Sequence, residues 1–243
     1  MSGLELRFIG TGNAFAPGGL CWNGFLANGR YLFEAPPQAL QALNALSLDA
    51  NDLDAVVLSH HHGDHFLGLP FLILQWKYSG RTRPVRIIGP LGTEALAKEV
   101  GQKVYPGLFE GGAEIEWEEL PPGTSSRLGG LQLEALPVEH DDRLSGTLGF
   151  KVALDGRQFS YTGDSAMCDA VLELARHGDV LVSECASRAD KVPVHMNLLD
   201  DMPKVRAAMK PESHLLLTHL GPGVEPNGLK KTLVARDFES YRF

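Results

Sequence analysis

The sequence has few cysteines and no arrangement of them that suggests pairing. Its 243 residues contain three, Cys21, Cys168 and Cys185, which are scattered and form no Cys-x-x-Cys motif. This pattern excludes a disulfide scaffold and a cysteine-based structural zinc site. It indicates a reduced protein, and we therefore expect a cytoplasmic location.

Long apolar runs and clusters of basic residues are also lacking. No stretch approaches the length of a transmembrane helix, and no basic segment leads into an apolar one as in a signal peptide. The formal net charge is −8, with 22 Lys and Arg against 30 Asp and Glu. The bulk field of the chain does not attract membranes or nucleic acid, so no membrane partner is expected and any bound phosphate needs a local positive centre.

What the sequence does contain is an alternation of apolar runs with helical stretches, without repeats or linkers. We therefore expect an α/β (α+β) fold in a single domain over residues 1–243, with helices covering the sheets. The residue pairs Gly129-Gly130 and Asp155-Gly156 predict hairpin turns, so part of the sheet should be antiparallel. The predicted strands are Leu4–Ile9, Tyr31–Glu34, Ala55–Ser59, Val85–Ile88, Leu131–Val138, Gln158–Thr162, Val180–Ser183 and Leu215–Thr218, and the predicted helices are Pro37–Leu46, Thr93–Val104, Ala166–His177 and Leu199–Met209.

Four of these strands lead into side chains that can bind metal. The residues that follow them are His60, His140, Asp164 and His219. Rigid strands can aim several side chains at one point beyond their ends, and ligand sites in α/β sheets form there. The four positions therefore predict one shared site.

The densest group of such side chains is the segment from Ser59 to His65. His60 and His62 stand at i and i+2 of an extended segment, so they project to one side and can hold one ion, while His61 should point away. Gly63 allows the tight turn that brings Asp64 and His65 toward a second ion. Imidazole and carboxylate ligands suit a hydrolytic zinc centre better than a structural one.

In this order along the chain, these residues resemble the metallo-β-lactamase-fold hydrolases over nearly the whole sequence. The resemblance implies a four-layer αβ/βα sandwich, with two mixed sheets flanked by helices and two Zn²⁺ ions at one edge. Mn²⁺ or Fe could occupy the same ligands. Carried over residue by residue, the resemblance assigns His60, His62 and His140 to the first metal, Asp64, His65 and His219 to the second, and Asp164 to a bridge between them.

Further motifs resemble the branch of that family that contains ribonuclease Z and related phosphodiesterases. They are Phe8–Gly12, Tyr161–Asp164, Asp179–Glu184 and His195–Asn197. In that branch a carboxylate at the position of Glu184 orients a histidine at the position of His195, which protonates the leaving oxygen. A cationic imidazole held by a carboxylate is a good general acid for a poor alkoxide leaving group. The resemblance thus implies Asp64, Glu184 and His195 as catalytic residues, with a metal-bridging hydroxide as nucleophile.

Two departures from ribonuclease Z narrow the expected substrate. Asp164 follows His140 by only 24 positions, too few for the protruding arm that clamps tRNA. The segment 33–37 also lacks the usual Asp-centred, Gly-rich turn, so the resemblance gives Glu34 no role. We expect a small phosphodiester or a cyclic nucleotide as substrate, with RNA less favoured, and relatives make a homodimer plausible.

Other functions of the same fold stay open at this point. A ribonuclease Z-like endonuclease would act on tRNA 3′ ends, and a carbonyl hydrolase would cleave a lactone, thioester or β-lactam at the same metal pair. Di-iron oxidoreductases typically carry Glu where His62 stands, which favours hydrolysis. A non-catalytic binding protein would not need the pair Glu184 and His195.

Overall fold

The computed structural model describes residues 3–225 and 228–243 and contains two seven-stranded sheets with helices on their outer faces. The first sheet has the spatial order β14 (Ser240–Arg242), β1 (Glu5–Gly10), β2 (Gly24–Ala27), β3 (Tyr31–Phe33), β4 (Ala55–Val57), β5 (Val85–Gly89) and β6 (Ile115–Glu119). The second has the order β13 (Thr232–Val234), β12 (His214–Leu220), β11 (Val180–Cys185), β10 (Arg157–Tyr161), β9 (Leu148–Leu154), β8 (Leu131–Pro137) and β7 (Ser125–Leu128). The helices are α1 (Ala39–Ala45), α2 (Gly63–Phe66), α3 (Leu69–Tyr78), α4 (Thr93–Val104), α5 (Asp169–Arg176) and α6 (Met202–Ala208).

Both sheets are mixed, as expected. Strands β3 to β6 pair in parallel, and so do strands β10 to β13, while the remaining neighbours are antiparallel. Leu128 pairs with Leu131 and Leu154 with Arg157, which confirms both predicted hairpin turns. The parallel strands point their carboxyl ends at one edge, where the side chains that follow them can meet.

The strands are buried on both faces because they lie between the opposite sheet and a layer of helices. In β4, Ala55 and Val57 face the core between the sheets, whereas Val56 faces a second core beneath α1, α3 and α4. In β11, Val182 faces the core between the sheets and Leu181 faces a third core beneath α5 and α6. The two-residue period of a strand thus builds the four layers of an α/β sandwich.

Every predicted strand and helix is present, but several boundaries were wrong. The segment 166–168 is not helical, because the backbone N–H of Ala166 donates to the carbonyl of Glu139 at 2.6 Å and ties this stretch to the loop that carries His140. The helix predicted from Leu199 begins at Met202 for a similar reason, since the N–H of Leu199 donates to the carbonyl of Arg188. The sequence analysis did not predict six of the observed strands, which are β2, β6, β7, β9, β13 and β14.

No helix in the described ranges is long and apolar enough to cross a membrane.

Candidate metal centre

Side chains that can bind metal gather at one edge of both sheets. The segment after β4 supplies His60, His62, Asp64 and His65, and the second sheet supplies three more at the ends of β8, β10 and β12. Sets of three ligand atoms that lie within 4.8 Å of one another include His60 with His62 and His140, His60 with His65 and Asp164, and Asp64 with His65 and His219. All seven metal ligands predicted from the sequence are therefore brought together.

The first set consists of three imidazoles. Nδ1 of His62 lies 3.1 Å from Nε2 of His60 and 3.1 Å from Nε2 of His140. Nitrogens that share one zinc ion at about 2.0–2.1 Å lie at a similar spacing. Burial lowers the pKa of His60 well below its usual value and also lowers the pKa of His140, which favours the neutral imidazole that a metal requires.

The second set combines one carboxylate with two imidazoles. Oδ2 of Asp64 lies 3.3 Å from Nε2 of His65 and 3.5 Å from Nε2 of His219. Asp64 is in the first turn of α2, a helix of only four residues that starts directly after His62. Gly63 begins that helix, so the expected turn is where the sequence predicts it.

Asp164 lies between the two sets. Its Oδ2 is 3.1 Å from Nε2 of His219 and 3.3 Å from Nε2 of His65. The same oxygen is 3.8 Å from Nε2 of His60 and 3.9 Å from Nε2 of His140. Burial alone would raise the pKa of Asp164, but His219 and His65 outweigh it and hold that pKa well below its usual value. The carboxylate is therefore an anion at the centre of the cluster.

The donor atoms of this cluster suit divalent cations. Nε2 of His65 and Oδ1 of Asp164 are buried and have no hydrogen-bond partner among the described residues. An unsatisfied buried polar group costs about 1–3 kcal/mol, so such atoms are rare unless another ligand satisfies them. A carboxylate surrounded by imidazoles is a set of N and O ligands suited to zinc, manganese or iron.

Two of the histidines are fixed by contacts on the far side of the ring. Nδ1 of His60 lies 2.8 Å from Oγ of Ser59, and Nδ1 of His140 lies 2.9 Å from the carbonyl oxygen of Val194. Such contacts set which nitrogen faces the metal and hold the ring in place. The backbone carbonyl requires Nδ1–H on His140, which leaves its Nε2 free to accept a metal.

Glu34 plays a part that the sequence did not assign to it. Its side chain is completely buried, and its Oε1 lies 3.6 Å from Nδ1 of His65. The backbone N–H of Ser59 donates to Oε2 at 3.3 Å, and the residue itself adopts a left-handed backbone with φ 65°. That unusual backbone turns the side chain toward the cluster. An acidic residue directly after a buried strand could have indicated this contact. The sequence analysis assigned it no role because the segment 33–37 lacks the usual Asp-centred, Gly-rich turn.

Asp141 is a second residue near the cluster that the sequence analysis did not identify. Its Oδ2 lies 3.3 Å from Nε2 of His62, on the opposite side of the ring from the nitrogen that faces the cluster. Its position next to His140 was the signal that could have revealed it. His61 turns away from the cluster as expected, is half-buried, and has Nε2 2.8 Å from Oγ1 of Thr93.

Glu184 and His195 form a pair beside the cluster. Nδ1 of His195 lies 2.7 Å from Oε1 of Glu184, and the carboxylate also accepts hydrogen bonds from the backbone N–H groups of Ser165 and Ala186. Burial of His195 favours its neutral form, but the bond to Glu184 outweighs burial and raises the pKa of His195 to about 9. His195 is therefore a cation at neutral pH.

The imidazole of His195 faces the cluster and borders a cavity. Its ring centroid is 4.9 Å from that of His140 and 5.4 Å from that of His219. The adjoining cavity has a volume of about 380 Å³ and is lined by Met167 and Asn197 among others. A group bound at the cluster could extend past His195 into this space.

The two mixed sheets, their helices and the cluster at the sheet edge define a metal-dependent hydrolase of the metallo-β-lactamase fold. A family model described as the beta-lactamase superfamily domain matches residues 29–220, and the chain belongs to that superfamily.

Several known proteins and solved structures are similar to this chain. A ribonuclease Z of Mycobacterium bovis is 26% identical over 250 aligned residues, which cover 92% of this chain and 88% of that protein. Among solved structures, the metallo-β-lactamase fold protein YhfI of Bacillus subtilis is 21% identical, with a TM-score of 0.80 and complete coverage of both chains. The short form of human tRNase Z is 20% identical with a TM-score of 0.78, covering 98% of each chain. A diphosphatase of the PhnP family is 20% identical with a TM-score of 0.72, covering 99% of this chain and 98% of that one.

Proposed function

We propose that this chain is a dinuclear zinc phosphodiesterase that acts on a small phosphodiester or a cyclic nucleotide. The observation that carries the proposal is the buried pair of Glu184 and His195, with its cationic imidazole directed at a cluster built for two metals. A proton donor at that place serves a reaction whose leaving group is a poor one.

We assign His60, His62 and His140 to one metal and Asp64, His65 and His219 to the other, with Asp164 shared by both. Zinc suits these ligands, and manganese or iron could take the same places. Bound there, the two ions would polarise the phosphoryl oxygens and activate the attacking water.

The chain's own groups handle the proton of the leaving oxygen. His195 donates the proton that it holds on Nε2, because Nδ1 is occupied by Glu184. Glu184 is completely buried and is itself held by backbone N–H groups, so it keeps the imidazole in one orientation. An alkoxide departing from phosphorus gains more from such a donor than a carbonyl substrate does, which favours a phosphodiester over a lactone or thioester.

The short segment between two of the predicted ligands and the charge of the chain favour a small substrate. Between His140 and Asp164 the chain contains only one loop and the hairpin of β9 and β10, whose turn is Asp155-Gly156. The net charge of −8 also disfavours a long polyanion such as tRNA.

A ribonuclease Z-like activity on tRNA 3′ ends is the second candidate. The specific observation in its favour is the 26% identity to a ribonuclease Z over 92% of this chain. It ranks below the first because of the short segment before Asp164 and the net negative charge of the chain.

One panel of substrates tests both candidates. Zinc-loaded protein would be incubated with bis(4-nitrophenyl) phosphate, 2′,3′-cyclic AMP, a precursor tRNA, a thioester and a lactone. We expect turnover of the first two, removed by a His140→Ala exchange and kept by a His177→Ala exchange at the remote end of α5. Faster cleavage of the precursor tRNA would transfer the assignment to the second candidate. Turnover of the thioester or lactone alone would overturn the phosphodiesterase proposal.

A further inference from the structure

Three buried polar side chains form a chain of hydrogen bonds between the two sheets. Oγ1 of Thr218 in β12 donates to Oδ1 of Asn23 at 2.6 Å, and Nδ2 of Asn23 donates to Oη of Tyr161 at 2.9 Å. Asn23 directly precedes β2 of the first sheet, whereas Tyr161 ends β10 of the second. All three residues are at most 1% exposed. None of the proposed functional roles uses this chain of hydrogen bonds.

The hydroxyl of Tyr161 has its own hydrogen left to donate. An O–H donor typically lies about 2.7–2.8 Å from an oxygen acceptor, and an N–H donor about 2.9–3.0 Å. The shorter contact therefore belongs to the hydroxyl of Thr218, and the longer one to the amide nitrogen of Asn23. Oη of Tyr161 thus accepts from Asn23, and an amide NH₂ group cannot accept in return. The phenol hydrogen points to another acceptor.

The carboxylate of Glu34 is that acceptor. Burial raises the pKa of Tyr161 well above its usual value, and the charge of Glu34 and a hydrogen bond to it raise that pKa further. The phenol is therefore neutral and keeps its hydrogen. The ring itself packs edge-on against Phe25 and Phe33, with centroid distances of 5.2 Å and 6.1 Å, so the hydroxyl is the polar end of a side chain that otherwise lies among apolar rings.

We propose that Tyr161 is a positioning residue, which holds the carboxylate of Glu34 beside His65 and thereby strengthens the metal site to which His65 belongs. A second donor, the backbone N–H of Ser59, holds Oε2 of the same carboxylate at 3.3 Å. The inference rests on the assignment of His65 to a metal under the proposed function, but not on the identity of the substrate.

The atoms that Tyr161 would bring together are buried and unsatisfied. Oε1 of Glu34 and Nδ1 of His65 have no hydrogen-bond partner among the described residues, and they lie 3.6 Å apart, just beyond hydrogen-bond distance. Nε2 of His65 faces Asp164 at 3.3 Å, so Nδ1 carries the hydrogen when Nε2 binds a metal. A carboxylate that is held in place accepts this hydrogen and fixes the orientation of the ring.

The test compares Tyr161→Phe with Tyr31→Phe. Each exchange removes one buried phenol hydroxyl and keeps the ring, but Oη of Tyr31 donates to the carbonyl of Leu128 at 3.3 Å, and Tyr31 begins β3 at the end opposite to Glu34. Competition with a chromophoric chelator would measure the affinity for each zinc ion. We expect Tyr161→Phe to weaken one ion about tenfold and the other less than about twofold, while Tyr31→Phe leaves both unchanged.

A double exchange tests whether Tyr161 acts through Glu34. Glu34→Gln removes the anion that orients His65, so adding Tyr161→Phe to it should weaken zinc binding by less than about a further twofold. A phenol that only supported the fold would lower zinc affinity by the same factor with and without Glu34→Gln. Thr218→Val removes the donor to Asn23 and keeps the shape of the side chain. It should weaken the same ion by a smaller factor, and it replaces Tyr161→Phe if that variant does not fold.

Three results would overturn the inference. They are zinc affinities that Tyr161→Phe leaves unchanged, an equal weakening of both ions, and an effect of Tyr161→Phe that is the same in the Glu34→Gln variant. An original protein that binds fewer than two zinc ions would contradict the inference together with the metal assignment. Two zinc ions with the expected pattern, but no cleavage of bis(4-nitrophenyl) phosphate, would contradict the proposed function alone.

Discussion

Nδ1 of His195 lies 2.7 Å from Oε1 of Glu184, a carboxylate that is completely buried at the end of β11. Burial of an unpaired anion there would be costly, but the cationic imidazole and three backbone N–H groups compensate it. The pair can hold a proton at neutral pH and direct it toward the metal cluster.

Replacing His195 with Ala should separate substrates by their leaving groups. A general acid contributes about 100-fold to 10,000-fold when the leaving oxygen is strongly basic, so 2′,3′-cyclic AMP should lose that much in kcat. The loss with bis(4-nitrophenyl) phosphate should stay below about tenfold, since nitrophenolate leaves without protonation. Steady-state kinetics on both substrates measure the difference.

The control for that variant is its zinc content, which should match that of the original protein because no metal is assigned to His195. Equal loss of activity on both substrates at full zinc content would contradict the assignment of His195 as the general acid.

The pair also predicts how activity depends on pH. Because the pKa of His195 is raised to about 9, the protonated form is present below that pH and is lost as the pH rises through it. Activity on poor leaving groups should therefore fall above about pH 9. A Glu184→Gln variant removes the anion, so the fall should move toward the usual histidine value of about 6.5. pH–rate profiles of both proteins test this, and identical profiles would contradict the role given to Glu184.

Glu34 should affect metal binding rather than proton transfer. Its carboxylate lies 3.6 Å from Nδ1 of His65, so Glu34→Gln should lower zinc affinity by about 10- to 100-fold. Competition with a chromophoric chelator would measure it. A matched exchange, Glu134→Gln on the exposed face of β8, should leave affinity unchanged. Zinc affinity that is equal in the two variants would show that Glu34 serves only the fold.

Asp164 and His62 should differ in how many ions depend on them. Asp164→Ala should reduce bound zinc from about two ions per chain to well below one, because its Oδ2 lies within reach of both sets of histidines. His62→Ala should remove about one ion, since His62 belongs to a single set. Metal analysis after dialysis measures both. Equal zinc content in the two variants would argue against a shared role for Asp164.

Much of the site could be predicted because it depends on strand ends. Buried apolar runs that lead into His60, Asp164 and His219 follow from a two-residue period that a sequence displays directly. The pair of Glu184 and His195 could be named only through resemblance, because the spacing of 11 residues between them says nothing about contact.

The parts that could not be predicted depend on tertiary contacts. Glu34 lies close to His65 and has a left-handed backbone, a conformation that is uncommon for such a residue and that its sequence does not indicate. Strand β6 is half-buried along its whole length, and β13 and β14 contain three residues each, so their patterns are too weak to set bounds. The start of α5 is displaced by a hydrogen bond between Ala166 and Glu139, which no local signal encodes.

The predicted ligands at the sheet edge come from both halves of the sandwich. His60, His62, Asp64 and His65 follow a strand of the first sheet. In the second sheet, His140 and Asp164 follow strands and His219 lies at the end of β12. A metal pair held by this cluster would join the two sheets as a cross-link does, and the sheets could not separate without releasing it. The free energy of metal binding would then be added to the free energy of unfolding, so resistance to heat would rise with the concentration of free zinc.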